Sequence, residues 1–392
     1  MRPGITIQHA RERSPTSQFV RSDITAFLGI ISQARWPRGA SKGDFVELRL
    51  ESWGDLAESP VQKYVDPVTV RSIYHFFLNG GEIARLLAVC VESEEDLMTD
   101  NPFEATFASV LDRLREDEDV ALLAMPVLAY LPIDFDRLGR PTVRCQPTIE
   151  LFVAHCREMT NRFFILDTPR DLHEEPLIRW VSQLQEALGP GASRAAIYYP
   201  WLHNGDESFP PSGAVAGVYA RTEREHEPFG VRWPPANQVV RGTTHPVVPV
   251  RWREADELIA AHINPILTQP TRGVVVWGGR TLSRDPRWMH INSRRIVSMI
   301  AEQVRRDSSW VVFEHQSPEL WKTVERTVRS RLDAVWGAGL LTGDTAGADY
   351  LVQCDGETNP VEERDAGFVH VRISMRPIGT AEFIIVELQL GG

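Results

Sequence analysis

Asp134 and Asp136, in the run PIDFDRLGR, stand two residues apart, so on an extended backbone both carboxylates face one side. That spacing could hold a divalent cation or divide acid and base duties. A turn between sheet elements explains the same residues without chemistry. Histidine lies beside acid at His173-Glu174-Glu175 and at Glu314-His315, but sequence neighbours alternate direction on a strand and do not converge on a helix, so neither group gathers around a metal. Ser212 in PPSGAVAG and Ser293 in HINSRR sit in no GxSxG and have no neighbour that marks an activated nucleophile. Trp277-Gly278-Gly279-Arg280 could aim backbone N–H groups at an anion. However, GxxxxGK[ST] and a post-strand GxGxxG are both absent, and a tight glycine turn accounts for the run. Cys90, Cys145, Cys156 and Cys354 lack CxxC spacing and read as small buried hydrophobes. These residue types assign no catalytic, cofactor-binding or metal-binding side chain. The competing reading is a soluble α/β hydrolase or nucleotide-binding enzyme that uses Asp134, Asp136 or the Gly278-Gly279 turn.

The elements that would position such residues alternate regularly. Apolar strands are expected at 23–31, 44–50 and 82–89, with a glycine-closed helix over 70–81. Helical windows then precede short apolar runs three times: ATFASVLDRLRED before VALLAMP, TIELFVAHCREMTN before RFFILD, and PLIRWVSQLQEAL before RAAIYYP. Strands separated by helices predict right-handed crossovers and a parallel sheet covered on both faces. The alternation continues with GVVVWGG, a helix near 288–306, SWVVFE in a strand's place and a helix near 318–336. In the last helix Leu320, Val324, Val328 and Leu332 form a packing stripe, with Lys322, Arg326 and Arg329 away from it. In GFVHVRISMRP, Val369, Val371, Ile373 and Met375 recur with the period of two of a half-buried antiparallel strand. In EFIIVELQL, Ile384, Val386, Leu388 and Leu390 take one face and Phe383, Ile385, Glu387 and Gln389 the other. An apolar strand at a chain end offers a pairing edge, which a neighbouring molecule or the chain's own meander must cover.

The net charge of -11 over 392 residues disfavours a general nucleic-acid or anionic-membrane binder. Between Arg272 and Asp333, twelve Lys/Arg meet seven Asp/Glu, a local +5 that leaves -16 for the remainder and suggests one basic surface. No window reaches about eighteen uninterrupted apolar residues, and MRPGITIQHARERS lacks the apolar core of a signal peptide, so cytoplasmic folding is expected.

Several segments carry a family resemblance. AAIYYPWL, PPSGAVAGVYARTERE and PPANQVVRG, followed by INPILTQPTRGVVVWGGRTL, INSRR, WVVFE with LWKTV, YLVQCDGETNP, ERDAGFVHVRISMRP and AEFIIVEL, resemble in order the contractile tail sheath proteins of phage tails and phage-tail-like injection systems. Upstream, RPGITIQ resembles the family's start, although it is more basic, and FFLNGG its glycine-closed helix. The resemblance spans nearly the whole chain and is strongest from residue 195 onward.

It implies an α/β plus α+β protein: a parallel α/β layer, subtilisin-like in shape without a triad, then a C-terminal α+β sheath domain, with extended arms at both ends. The corresponding division is an arm at 1–18, an N-terminal sheath region at 19–110, an α/β domain at 111–272, a C-terminal sheath domain at 273–378 and an arm strand at 379–392. The implied role is structural: a non-enzymatic subunit that polymerises helically around an inner tube and contracts to drive it through a target envelope. A non-polymerising tail or baseplate adaptor is the variant reading. The implied partners are further copies in stacked six-fold rings, the inner tube, and baseplate and terminator or cap proteins, with no nucleic acid and no membrane insertion. Ile5, Ile7, Phe383, Ile384, Val386, Leu388 and Leu390 would form the inter-subunit arm strands. Arg287, Arg294, Arg295, Arg305, Lys322, Arg326 and Arg329 would face the tube or adjacent subunits.

Overall fold

The computed structural model describes residues 19–36, 41–92, 102–137, 139–227, 229–342, 346–360, 368–380 and 383–390. Its strands are β1 (Thr25–Ser32), β2 (Phe45–Leu50), β3 (Ala84–Val91), β4 (Leu122–Ala124), β5 (Ile133–Phe135), β6 (Pro141–Val143), β7 (Phe163–Asp167), β8 (Ala195–Tyr199), β9 (Leu202–His203), β10 (Ser208–Phe209), β11 (Gln238–Val239), β12 (His245–Pro246), β13 (Ile263–Gln269), β14 (Gly273–Val276), β15 (Tyr350–Gln353), β16 (Val369–Met375) and β17 (Ile384–Leu390). The principal helices are α1 (Trp53–Ala57), α2 (Pro67–Leu78), α3 (Pro102–Glu116), α4 (Gln146–Glu158), α5 (Glu174–Leu188), α6 (Ser212–Glu225), α7 (Trp252–Ala260), α8 (Ile291–Asp307) and α9 (Pro318–Gly337).

Nine strands make one sheet in the order β11-β14-β13-β8-β7-β4-β1-β3-β2. The strands from β13 to β3 are mutually parallel, while β2, β14 and β11 pair antiparallel at the two edges. Period two sorts the side chains: Ala26, Leu28, Ile30, Phe164, Leu166 and Ile197 enter the core beneath α3, α4 and α5. Phe27, Ile31, Phe163, Ile165 and Tyr198 point the other way, toward α2 and α6. The expected parallel layer is present.

Two expectations need correction. The divisions at 110/111 and 272/273 both cut this sheet, because β1, β2, β3 and β14 are hydrogen-bonded into it with the central strands. The sheet is too broad to be completed by residues 111–272 alone. The run Ser309–Phe313 is a 3-10 turn with only Val311 buried, not a strand. The four apolar residues Trp310 to Phe313 give no period, and α8 and α9 already supply the module's core with packing partners.

Helices α2 and α6 approach closely because Gly213 and Gly217, four apart, share a face. A Cβ at Gly213 would stand 2.2 Å from the Ser72 carbonyl oxygen, and one at Gly217 would stand 2.3 Å from that of Phe76. The segment PPSGAVAGVY therefore has a packing reason for its small residues.

The C-terminal module has its own core. Strands β15-β16-β17 form an antiparallel meander. Val369, Val371, Ile373, Met375, Ile384, Leu388 and Leu390 pack inward with Ile296, Ile300, Val324, Val328 and Leu332 from α8 and α9.

Candidate assembly surfaces

The meander presents a second face away from its helices. In register across the three strands lie Leu351, Ser374 and Ile385, and Leu351 and Ile385 are 57% and 62% exposed. The next row on that face is Gln353, Arg372 and Glu387, where Arg372 donates to Glu387 at 2.9 Å. Phe383, exposed at the start of β17, lies beneath the Arg376 guanidinium, 5.2 Å from its ring centroid. Nearby in sequence to α9, Val312 and Phe313 are also exposed, Phe313 at 89%.

Strand β17 is the last of its sheet, so among the described residues no strand pairs with its outer edge. Its inner edge is bonded to β16 over the full run from Val369↔Leu390 to Met375↔Ile384. In the single chain, then, Ile384, Val386, Leu388 and Leu390 belong to their own molecule's meander and do not project as an arm. Hydrophobic closure over α8 and α9 is available at home, and the chain takes it. Ile5 and Ile7 lie outside the described residues.

The expected basic face divides. Lys322, Arg326 and Arg329 are exposed on α9. Arg329 bonds Glu325 at 2.8 Å, one turn away, whereas Lys322 and Arg326 have no acidic partner within 4.0 Å among the described residues. Arg287 is exposed and bonded to Asp285 at 2.7 Å. Arg305 bonds Glu302 at 2.8 Å and Glu118 at 2.9 Å, and Arg306 bonds Glu302 at 2.7 Å and Asp119 at 3.2 Å. These contacts join α8 to the loop after α3. Burial alone would raise the Glu302 carboxyl, but the hydrogen bonds from Arg305 and Arg306 hold it below its ordinary value.

Arg294 and Arg295 contradict the tube-facing expectation. They are only 7% and 5% exposed. Arg295 pairs with buried Glu223, whose carboxyl is pushed up by burial despite that partner, and lies over the Tyr219 ring. Helix α8 is buried on nearly every side from Ile291 to Val304, so its cations serve the interior.

The residues with catalytic potential are occupied structurally. On the β5–β6 hairpin, Arg144 donates to Asp134 at 2.6 Å and Arg140 to Asp136 at 2.7 Å. Ser212 opens α6, its N–H donating to Asp167 at 2.6 Å, and the Ser293 hydroxyl donates to the Ile378 carbonyl. A Cβ at Gly278 would meet Asn264 Oδ1 at 2.6 Å, and that side-chain oxygen already accepts the Arg280 N–H, so this turn cradles a side chain of the protein itself. Among the described residues no three His, Cys, Asp or Glu side chains gather as a metal site, and no helix is long and apolar enough to cross a membrane.

A two-faced α/β layer joined to a helix-backed meander with an open strand edge, and with Leu351 and Ile385 exposed on its outer face, is the build of a subunit that associates through its surfaces. Known proteins agree in kind. Residues 134–282 match the phage tail sheath protein central domain and residues 283–391 the phage tail sheath C-terminal domain. The chain belongs to the tail sheath family. It is similar to a prophage major tail sheath protein of Pseudomonas aeruginosa, at 25% identity over 183 residues, a match that spans 46% of this chain and 45% of that relative. The fold matches the anti-feeding prophage helical sheath in its contracted state, with TM-score 0.69, 26% identity and 98% of each chain covered. It also matches a chain of the anti-feeding prophage baseplate, with TM-score 0.70, 25% identity and 99% and 98% coverage. The sheath of an extracellular contractile injection system, PVC, in its contracted state shares the fold with TM-score 0.70 at 23% identity, covering 99% of this chain and 97% of that one.

Proposed function

We propose that this chain is the structural subunit of a contractile sheath, polymerising helically around an inner tube and shortening to drive the tube through a target envelope, without catalytic turnover. The observation that carries this reading is the open outer edge of β17, on which Ile385 is exposed. An open strand edge is a template for β-augmentation, and a head-to-tail contact that does not close on itself builds a helix of subunits rather than a dimer. Residues 1–18 of an adjacent copy supply the added strand, with Ile5 and Ile7 on one face. At roughly 3.3 Å per residue, such an arm spans on the order of 50 Å, enough to reach a neighbour. The strand 383–390 acts at home as the receiving edge.

The free cations Lys322 and Arg326 on α9 face the tube, through contacts individually worth about 0–1 kcal/mol, which suits a surface that must let go. Six-fold stacking, baseplate and cap partners, cytoplasmic assembly and incorporation into a phage tail or tail-like particle complete the reading. Negative-stain microscopy of the full chain and of a chain lacking residues 1–18 tests it. The full chain should form striated tubes and the truncated one should not. Tubes formed equally by both would overturn the arm assignment.

A further inference from the structure

The small sheet β10-β9-β12 carries three polar side chains in one cross-strand row. Ser208 on β10 stands opposite His203 on β9, and His203 stands opposite His245 on β12. Side chains directly opposite on antiparallel strands share a face and lie close enough to interact. The two imidazoles do so, with ring centroids 4.9 Å apart and planes tilted by 52°. His203 is half-buried and His245 exposed, while the adjacent row of Phe209, Leu202 and Pro246 is buried on the other face. The histidine row is therefore anchored beneath and open above.

Each ring is held by its Nδ1. His203 Nδ1 lies 3.3 Å from the Ser208 hydroxyl, and His245 Nδ1 lies 2.9 Å from the Thr244 hydroxyl. The Thr244 hydroxyl donates its one proton to the His203 carbonyl at 2.9 Å, so toward His245 it can only accept. His245 therefore carries its proton on Nδ1 and keeps a lone pair on Nε2. In His203 the Nδ1 contact is made toward β10. Because the two nitrogens of an imidazole sit on nearly opposite sides of the ring, Nε2 is turned toward β12 and the second histidine. Among the described residues neither Nε2 makes a hydrogen bond. One nitrogen fixed by a hydrogen bond and the other left bare is the arrangement of a metal-binding imidazole.

The separation fits a shared ion. With metal–nitrogen bonds of about 2.0–2.1 Å, a ring centroid stands about 3.2 Å from the ion, so two imidazoles on one ion have centroids about 4.5 Å apart at a right angle and about 5.2 Å apart at the tetrahedral angle. The 4.9 Å here falls between the two. Two protein ligands are fewer than a closed structural site uses, so water fills the other positions. Imidazole nitrogen suits zinc, copper and nickel, whereas magnesium and calcium take oxygen.

We infer that His203 and His245 form a chelate for a late first-row divalent cation of the zinc class, bound through the two Nε2 atoms, which clasps β12 to the β9–β10 hairpin. The site is complete within one chain and does not depend on assembly. Calorimetric titration of the full, untagged chain, freed of metal by a chelator, with zinc chloride tests it, with magnesium chloride as the control ion and melting temperature as a second readout. One zinc per chain should bind saturably with a midpoint below about 100 µM and raise the melting temperature, whereas magnesium should do neither. His203→Gln and His245→Gln should each weaken the midpoint at least tenfold and, in metal-free buffer, melt with the parent, since neither imidazole is fully buried. Either variant stands in for the other should one fail to fold. His315→Gln, outside this sheet, should bind zinc as the parent does. Absence of saturable zinc binding, or a parent-like midpoint in either folded glutamine variant, would overturn the inference.

Discussion

Adding one methyl group to Gly217 separates packing from propensity, because the two act with opposite sign. In an open helix, Gly→Ala gains about 1 kcal/mol. Here the new Cβ would lie 2.3 Å from the Phe76 carbonyl oxygen and 2.7 Å from the Asn79 Cβ, where ordinary contact begins at 3.4 Å. Backbone cannot rotate aside as a flexible side chain can, so α2 and α6 must part by about 1 Å. A gap of that size forfeits a quarter to a half of each dispersion contact it crosses. Ile73, Phe76, Val215, Val218 and Tyr219 share that core. Overpacking of this kind costs about 3 kcal/mol, leaving a net loss of about 2 kcal/mol after the helix gain. With a urea slope of about 3 kcal/mol/M for a chain this long, the midpoint falls by about 0.7 M. Gly337→Ala is the matched control: nothing lies within 4 Å of its added Cβ, so its midpoint should hold or rise. A Gly217→Ala midpoint equal to or above the parent's, with the fold intact by circular dichroism, would refute the close-approach argument.

Acidification should act through two buried imidazoles. Burial holds His75 and His155 at about 4, below the 6.5 of an open histidine, with Arg71 and Arg162 respectively adding to the effect. The unfolded chain therefore takes protons first, and stability drains as pH falls from 6.5 toward 4. His75→Phe, which keeps the stack on Phe209, should flatten that limb in melting curves taken against pH. Asp167 has the opposite sign: burial pushes its carboxyl from 3.8 to about 7, so its ionisation costs stability as pH rises through that window. Asp167→Asn should melt higher than the parent at pH 8 and alike at pH 4. Glu302→Ala removes the shared partner of Arg305 and Arg306 and should lower stability by about 3 kcal/mol, measured by urea unfolding. Lys322→Glu with Arg326→Glu should leave unfolding within about 0.5 kcal/mol of the parent while preventing growth on tubes, scored by electron microscopy.

The parallel layer was legible because short continuous apolar runs, the mark of strands buried on both faces, recur with amphipathic helical windows between them, and their side chains enter two cores alternately. The meander was legible by its period of two, with Val369, Val371, Ile373 and Met375 all inward. Arg294 and Arg295 misled because charge in a helix is ordinarily solvated, and α8 departs from that through Glu223, Tyr219, Trp288 and Ser298, which lie outside its own turn of sequence or outside the helix altogether. The turn at 309–313 misled because the four apolar residues Trp310 to Phe313 carry no period. The breadth of the sheet escaped because its antiparallel borders, β2 and β14, depend on pairing across long stretches of chain. The signal in PPSGAVAGVY was present as small residues four apart, and only the approach of α2 explains it.

The unfinished border of β17, with the oily Ile385 exposed on that strand, makes the solitary chain the hazardous form of this protein. Copies waiting without a proper neighbour offer one another an invitation to zip together out of register. Production must therefore keep pace with the growing structure that consumes them, since the tendency of waiting copies to clump rises with their concentration.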